Sequence, residues 1–428
     1  MGANSGGELG LGSSVLSGTV HHPRLNPFLS GAVGVVQVSA GAMHGAALTK
    51  DSRILTWGVN DHGALGRDTT WDGVPMRDAD DDDSDSSVDS IESNTGDLNP
   101  RESTPTDIDA TNVARGVVFT QVAAAHNATF ALTNTGLVYG WGTFRANKGE
   151  LAFSPTVRVQ ERPILIPQIK YAIKIVTGGD HVLVLRADGS VYSWGVGTEG
   201  QLGRRFSSRR MQQDPDAEQR HLIPEKVATL KNIIDIGSGS KHSFAIDTTG
   251  RVWAWGLNNA GQTGLSDQAG EYGGYSHLPA PVRSLEHYGR IAQITGGAFH
   301  SIAVTADGRC LTWGRLYSFA TGLRINSLAD QSILRDSRGR PAILTAPTAV
   351  PGLRLAVIAA ESDHSLTITL DHKVYTWGLN VSSQLGHKSE EIEVATLLKD
   401  ASIANKRMVW AGAGSQYCML GEVSISMS

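Results

Sequence analysis

Fourteen histidines and two cysteines are the residues of this 428-residue chain most capable of chemistry. Five of the histidines keep one register. His44, His181, His242, His300 and His364 each stand thirteen residues before a Trp-Gly, at Trp57, Trp194, Trp255, Trp313 and Trp377. A regular series of imidazoles invites a metal-centre reading. One histidine per repeat argues against it, because repeats place equivalent side chains around a ring and not two or three on one ion. Each ring is expected instead to hydrogen-bond backbone within its own repeat, since buried polar groups are nearly always paired. Cys310 and Cys418 are too few and too separated for a zinc site or a disulfide framework. The chain also has no phosphate-binding loop, no Gly-x-Ser-x-Gly elbow and no His-Glu-x-x-His. No bond-making residue, metal or cofactor is expected, and a binding scaffold is the default.

The elements that carry these residues are short strands. From Gly178 to Arg204, Val182 to Leu185 is an apolar run fit for a buried strand. Ala187-Asp188-Gly189 is a turn, and Ser190 to Trp194 alternates small and large residues as a half-buried strand does. Gly195 ends it, and Gly200-Gln-Leu-Gly203 is a second sharp turn. A sixth Trp-Gly, at Trp141, has Ala128 in the histidine slot. Repetition at one spacing from end to end defines a repeat protein. The tryptophans are read as core at the contacts between repeats.

The two ends complete one another. Gly2 to Leu9 repeats the second half of a unit, matching Gly195 to Leu202, and Gly414-Ser-Gln-Tyr417 begins a first half. Six internal units plus this split one give seven. Pairing both termini in one unit would remove open sheet edges. The expected fold is therefore all-β: a single seven-bladed β-propeller over residues 1–428, closed by N- and C-terminal strands in one blade.

Charge is unevenly distributed. Asp72 to Asp109 holds thirteen acidic and two basic residues, so of 42 acidic and 37 basic residues in all, 29 and 35 lie elsewhere. Residues 72–109 read as an acidic, disordered insert, because such a run repels itself and has little to bury. A phosphorylatable serine cluster is the sharper alternative. Two other connections break the repeat. After Trp141 the usual small turn is replaced by Thr143-Phe-Arg-Ala-Asn-Lys-Gly-Glu-Leu-Ala-Phe153, which reads as an element built to protrude. Arg204 to Arg220 carries an arginine cluster suited to phosphate or carboxylate partners. No apolar run has membrane length, so no membrane partner is called for, and a monomer is expected. The start of the chain does not read as a signal peptide, and an intracellular protein is expected.

These repeats resemble the regulator of chromosome condensation family, the nuclear exchange factors for the Ran GTPase, and the resemblance covers the whole chain. Gly58-Val-Asn-Asp-His-Gly-Ala-Leu-Gly-Arg-Asp-Thr69 is similar to the family's second repeat, and Trp141 to Gly149 resembles its protruding wedge. The resemblance implies a guanine nucleotide exchange factor that displaces GDP without bond chemistry, with a Ran-type small GTPase and chromatin (histones and DNA) as partners. It also implies a place in the nucleus, with the cytoplasm left open. It assigns the GTPase contact to Phe144, Arg145, Asn147, Lys148, Gly149, Glu150 and Leu151 of the wedge, with Asp180 and Arg204 holding the GTPase by charge. Arg209 and Arg210 fall in the loop that corresponds to the family's nucleosome contact. Three positions depart from the family pattern. His126 stands where an acidic residue is usual, Phe299 where a histidine is tied to exchange, and Ser5 where an aspartate is usual. The family's basic N-terminal tail is not seen, so a natural variant or a truncated form is expected. The rival reading is a propeller scaffold, such as a ligase adaptor, without exchange activity. A propeller lyase or hydrolase would need converging carboxylates or a metal in the central channel.

Overall fold

A computed structural model describes residues 1–15, 18–73, 98–146, 149–205 and 218–422. The short repeats form seven four-stranded antiparallel blades, numbered in chain order from blade one at Val35–Ala40. Blade three is typical: Ala172–Thr177, His181–Arg186, Val191–Gly195 and the short outer strand Glu225–Lys226, side by side. Blades five and six share one long strand, Pro341–Glu361. Its first part pairs with Arg309–Arg315 and its second with His364–Thr369. Blade seven is split between the ends. Met408–Ala413 pairs with Cys418–Glu422, and Gly2–Ala3 pairs with Thr19–Val20. The halves join where Gly2 bridges Tyr417, with Ala3 N–H donating to Gln416 O at 2.9 Å and Cys418 N–H to Met1 O at 2.8 Å. The innermost strands of all seven blades line one channel of about 400 Å³.

Each blade is too thin to bury its own apolar face, so its core lies against its neighbours. Trp57, Trp141, Trp255, Trp313 and Trp377 are fully buried. Each donates its indole N–H backwards to a turn carbonyl of the preceding blade, at Glu8, Ala64, Gln201, Gln262 and Ala320, over 2.8–3.0 Å. Gly66 shows why that turn ends in glycine. Its φ is +65°, and a Cβ there would sit 2.8 Å from the Trp141 ring.

The histidine series works across blades, which corrects the expectation of bonds within one blade. His44, His181, His242 and His300 meet Thr129, Ser243, Ser301 and Ser365 of the next blade at 2.7–2.8 Å. Thr129, Ser243 and Ser301 in turn donate to Ala64 O, Gln201 O and Gln262 O, three of the carbonyls that the tryptophans use. A hydroxyl that donates to a carbonyl must accept from the ring, so Nε2 carries the proton. Burial pushes these imidazoles down, to about 4 for His44 and His181 and about 3 for His242 and His300, so they stay neutral.

The acidic insert is shorter than expected. Leu98 is buried, Pro100–Ser103 forms a helical turn, and Thr106–Asp107 is the outer strand of blade one. Glu102 accepts from Thr69 Oγ1 at 2.9 Å, tying this return to the preceding turn. Residues 98–109 therefore belong to the blade, because Leu98 and Ile108 supply the apolar contacts that the charged stretch lacks. Residues 74–97 lie outside the described residues.

Candidate functional site

The protruding stretch after Trp141 is a two-stranded hairpin, Phe144–Ala146 with Gly149–Ala152, set beside blade two and outside its four-stranded sheet. A bulge between Phe144 and Arg145 makes Phe144 face Ala152 and Arg145 face Glu150. The extra residue of the bulge is Leu151 on the second strand, while Phe144 and Arg145 are consecutive and face opposite ways as strand neighbours do, which leaves Phe144 inward and Arg145 exposed. Phe144 is fully buried and stacks with Phe130 and Phe153 at centroid distances of 6.0 and 6.4 Å. It anchors the hairpin, which corrects its place among the GTPase contacts. Arg145 is exposed, with Nη1 3.5 Å from His62 Nε2. Gly149, Glu150 and Leu151 are half-buried, and Glu150 pairs with Arg158 at 3.3 Å. Asn147 and Lys148 lie outside the described residues, as do Arg209 and Arg210.

Asp180 is where the hairpin meets the ring. Its Oδ1 accepts from the Arg145 backbone N–H at 2.8 Å, and its Oδ2 lies 3.4 Å from His126 Nδ1. On the other side of the same imidazole, His126 Nε2 is 3.5 Å from Glu361 Oε1, which also accepts from Ser240 Oγ at 2.9 Å. Residues from blades two, three, four and six thus converge at one mouth of the channel. Burial opposes charge on His126, but hydrogen bonds and charge from Asp180 and Glu361 outweigh it and raise the imidazole to about 10. Burial likewise opposes the Glu361 carboxylate, yet His126 and Ser240 hold it below its ordinary range. The two carboxylates face an imidazolium and not each other. A ring that keeps its proton at neutral pH is no general base, so the cluster is an ion-pair network and not an acid–base pair. Among the described residues no cluster of three or more His, Cys, Asp or Glu could hold a metal ion.

Other residues on the rim carry charge of both signs. Lys241 pairs with Glu199 at 3.1 Å. Arg315 pairs with Asp363 and lies over the Phe299 ring, 4.1 Å from its centroid. Phe299 therefore supports a cation on the blade five and six side. Arg204 is not presented to a partner, which corrects its place in the charged contact. It is buried, bonds Glu225 Oε2 at 2.6 Å and His221 O at 3.3 Å, and secures the outer edge of blade three. Arg67 holds the same slot in blade one and reaches Thr56 O and Arg101 O. Two repeats thus share an arginine in this slot, and Arg204 holds Gln219–Leu222, which lies against Gly149–Ala152.

Glu361 does not stand out among the sequence motifs, although a signal for it exists. Gly41, Gly178, Gly239, Gly297 and Gly414 fill the equivalent slot elsewhere, where a Cβ would lie only 2.1–2.5 Å from the blade's own His or Tyr ring. A carboxylate replacing a glycine that sterics demand is the readable anomaly.

A seven-bladed propeller with a side hairpin clamped to one mouth of its channel is the class that this geometry defines. The model of the RCC1-like domain matches residues 1–420, and the chain belongs to that family. It is 37% identical to protein pim1 of Schizosaccharomyces pombe, over 99% of this chain and 74% of that protein. It is 34% identical to guanine nucleotide exchange factor SRM1 of Saccharomyces cerevisiae, over 98% and 86%. The crystal structure of Prp20p from Saccharomyces cerevisiae, described with its binding properties to Gsp1p and histones, matches with a TM-score of 0.86 at 30% identity. That match covers 100% of this chain and 91% of Prp20p.

Proposed function

We propose that the chain is a guanine nucleotide exchange factor for a Ran-type small GTPase and binds chromatin, acting in the nucleus and making no covalent bond. The observation that carries this reading is the hairpin: an exposed Arg145 on a short two-stranded element whose root, Phe144, is locked in the core. Its first strand hangs from Asp180. A GTPase grips its nucleotide through phosphate contacts and Mg²⁺. An element rigid enough to keep its shape while pressing on that region favours the empty form. By linkage, a partner that binds the empty GTPase more tightly weakens nucleotide binding by the same factor. Arg145, Asn147, Lys148, Gly149, Glu150 and Leu151 are the proposed contact, with Asp180 as the support of the hairpin. Arg209 and Arg210 are proposed to fork onto carboxylates of a histone surface.

The test loads Gsp1p with fluorescent GDP and adds this protein at catalytic amounts with excess GTP. Release over many turnovers per propeller is the expected result, and no acceleration by the folded protein would leave a scaffold. Nucleosome pull-down by an Arg209→Ala, Arg210→Ala double variant should be weakened, and unchanged capture would remove that contact.

A further inference from the structure

We propose that Glu361, acting across the channel mouth through His126, fixes the Asp180 carboxylate from which the hairpin hangs, so that Glu361 and His126 are positioning residues for that hairpin. The proposal deepens the exchange-factor reading and rests on it for its functional consequence.

Three features of the mouth support it. The contacts form one unbroken path: Ser240 Oγ to Glu361, Glu361 to His126, His126 to Asp180, and Asp180 to the Arg145 backbone. Glu361 belongs to blade six, and the path ends in the hairpin beside blade two. Along it the far side of the ring touches the hairpin root.

Glu361 occupies its place at a steric cost. Five other blades put glycine in this slot, against their own His or Tyr ring. Blade six takes a Cβ there and turns the next residue, Ser362, to a φ of +44°. Its counterparts Ala42, His126, Gly179, Ser240, Ala298 and Ser415 all avoid positive φ. A left-handed serine costs about 1 kcal/mol. Strain of this kind persists where the surroundings hold it in place.

The charges are also balanced so that one imidazolium serves two carboxylates. Removing Glu361 leaves His126 free to turn toward Asp180 or toward water. Removing His126 leaves Asp180 and Glu361 facing the same mouth with no cation between them. In both cases the Asp180 carboxylate loses its fixed direction, and the Arg145 N–H loses its aligned acceptor.

The full chain is the sample for the test, with Glu361→Gln, Glu361→Gly and His126→Ala variants and the His126→Ala, Glu361→Gln double variant. Hydrogen-exchange mass spectrometry on peptides spanning 144–152 reads the hairpin, thermal melting reads the ring, and GDP release from Gsp1p reads function. Once the charge-assisted hydrogen bond at the root is weakened, the Arg145 amide should exchange about tenfold faster. Turnover should fall with KM for the GTPase unchanged, and the double variant should be no worse than His126→Ala alone. Ile368→Val, a core change in blade six, controls for general loosening and should leave the hairpin as protected as in the parent. Wild-type protection of 144–152 in all Glu361 variants would overturn the proposal, as would additive effects in the double variant. A parent protein that releases no GDP, combined with a loosened hairpin in the variants, would sink the exchange reading and keep the clamp.

Discussion

Ala128 and Val182 share one apolar cluster at the junction of blades two and three, where neighbouring junctions place a His–Ser or His–Thr hydrogen bond. The donor and the acceptor are both absent at this junction. That matters because a buried donor left without its acceptor costs about 1–3 kcal/mol, whereas removing both partners is close to neutral.

The same logic gives a first prediction. Ser243→Ala should destabilise the ring by about 1–3 kcal/mol, because His181 Nε2 keeps a proton with nowhere to go. A His181→Ala, Ser243→Ala double variant should fall short of the sum of the two single losses. Urea melts of the four proteins measure the coupling, and strict additivity would mean that the pair does not act as one contact.

The buried imidazoles also set an acid limit. Their folded values, about 3 to 4, lie below the ordinary 6.5, and His364 at about 4 joins the other four. A depressed folded value means that the unfolded chain takes up protons first. Stability is therefore whole above pH 6.5 and falls as pH drops toward 4, by up to about 1.4 kcal/mol per pH unit for each histidine. Urea midpoints at pH 7.5, 6.0 and 5.0 should decline steadily, and a flat profile would contradict neutral, buried rings.

His126 runs the other way. Its value is raised to about 10, so its contribution is full below pH 6.5 and fades as pH rises through about 10. Hairpin protection should be kept at pH 7 and lost near pH 10 in the parent, with little change over that interval in His126→Ala. A hairpin equally protected at both ends would refute a charged His126.

Phe144 and Arg145 are neighbours with opposite duties, and substitution should separate them. Phe144→Ala empties a fully buried ring site and should cost about 3–5 kcal/mol. Arg145→Ala should leave the melting temperature unchanged and raise KM for the GTPase in the GDP-release assay. If Arg145→Ala releases GDP with parental KM, the exposed guanidinium is not part of the contact.

Asp180→Asn keeps an acceptor for the Arg145 N–H but loses the charge opposite His126, whereas Asp180→Ala loses both. Exchange should therefore fall in the order parent, Asn, Ala, with melting temperatures nearly equal. Parallel losses of stability and rate would make Asp180 a fold residue alone.

The blades, their number and their closure are legible because period and register are printed in the chain itself. What repetition does not convey is adjacency. It says that His181 and His242 are equivalent, but not that His181 reaches Ser243 in the next blade. Arg204 reads as a partner residue until Arg67 is seen in the same slot, and a residue shared by two repeats is explained first by the repeat. Phe144 reads as exposed because alternation along a short hairpin does not say which face packs on the blade, and that is decided by the Phe130 and Phe153 rings it meets in space. Glu361 escapes notice because its partner lies 235 residues away.

The split blade has a consequence for biosynthesis. Gly2 pairs beside Tyr417, so this strand must wait for a partner that the ribosome delivers roughly 400 residues later. At about 5–20 residues per second that wait is roughly 20 to 80 s. Until then the Gly2–Ala3 strand has Thr19–Val20 on one side and no strand on the other, an open edge of the kind that pairs wrongly with other chains. A circular permutant cut between two complete blades would join the halves of blade seven early, and should reach the soluble form with less help from chaperones.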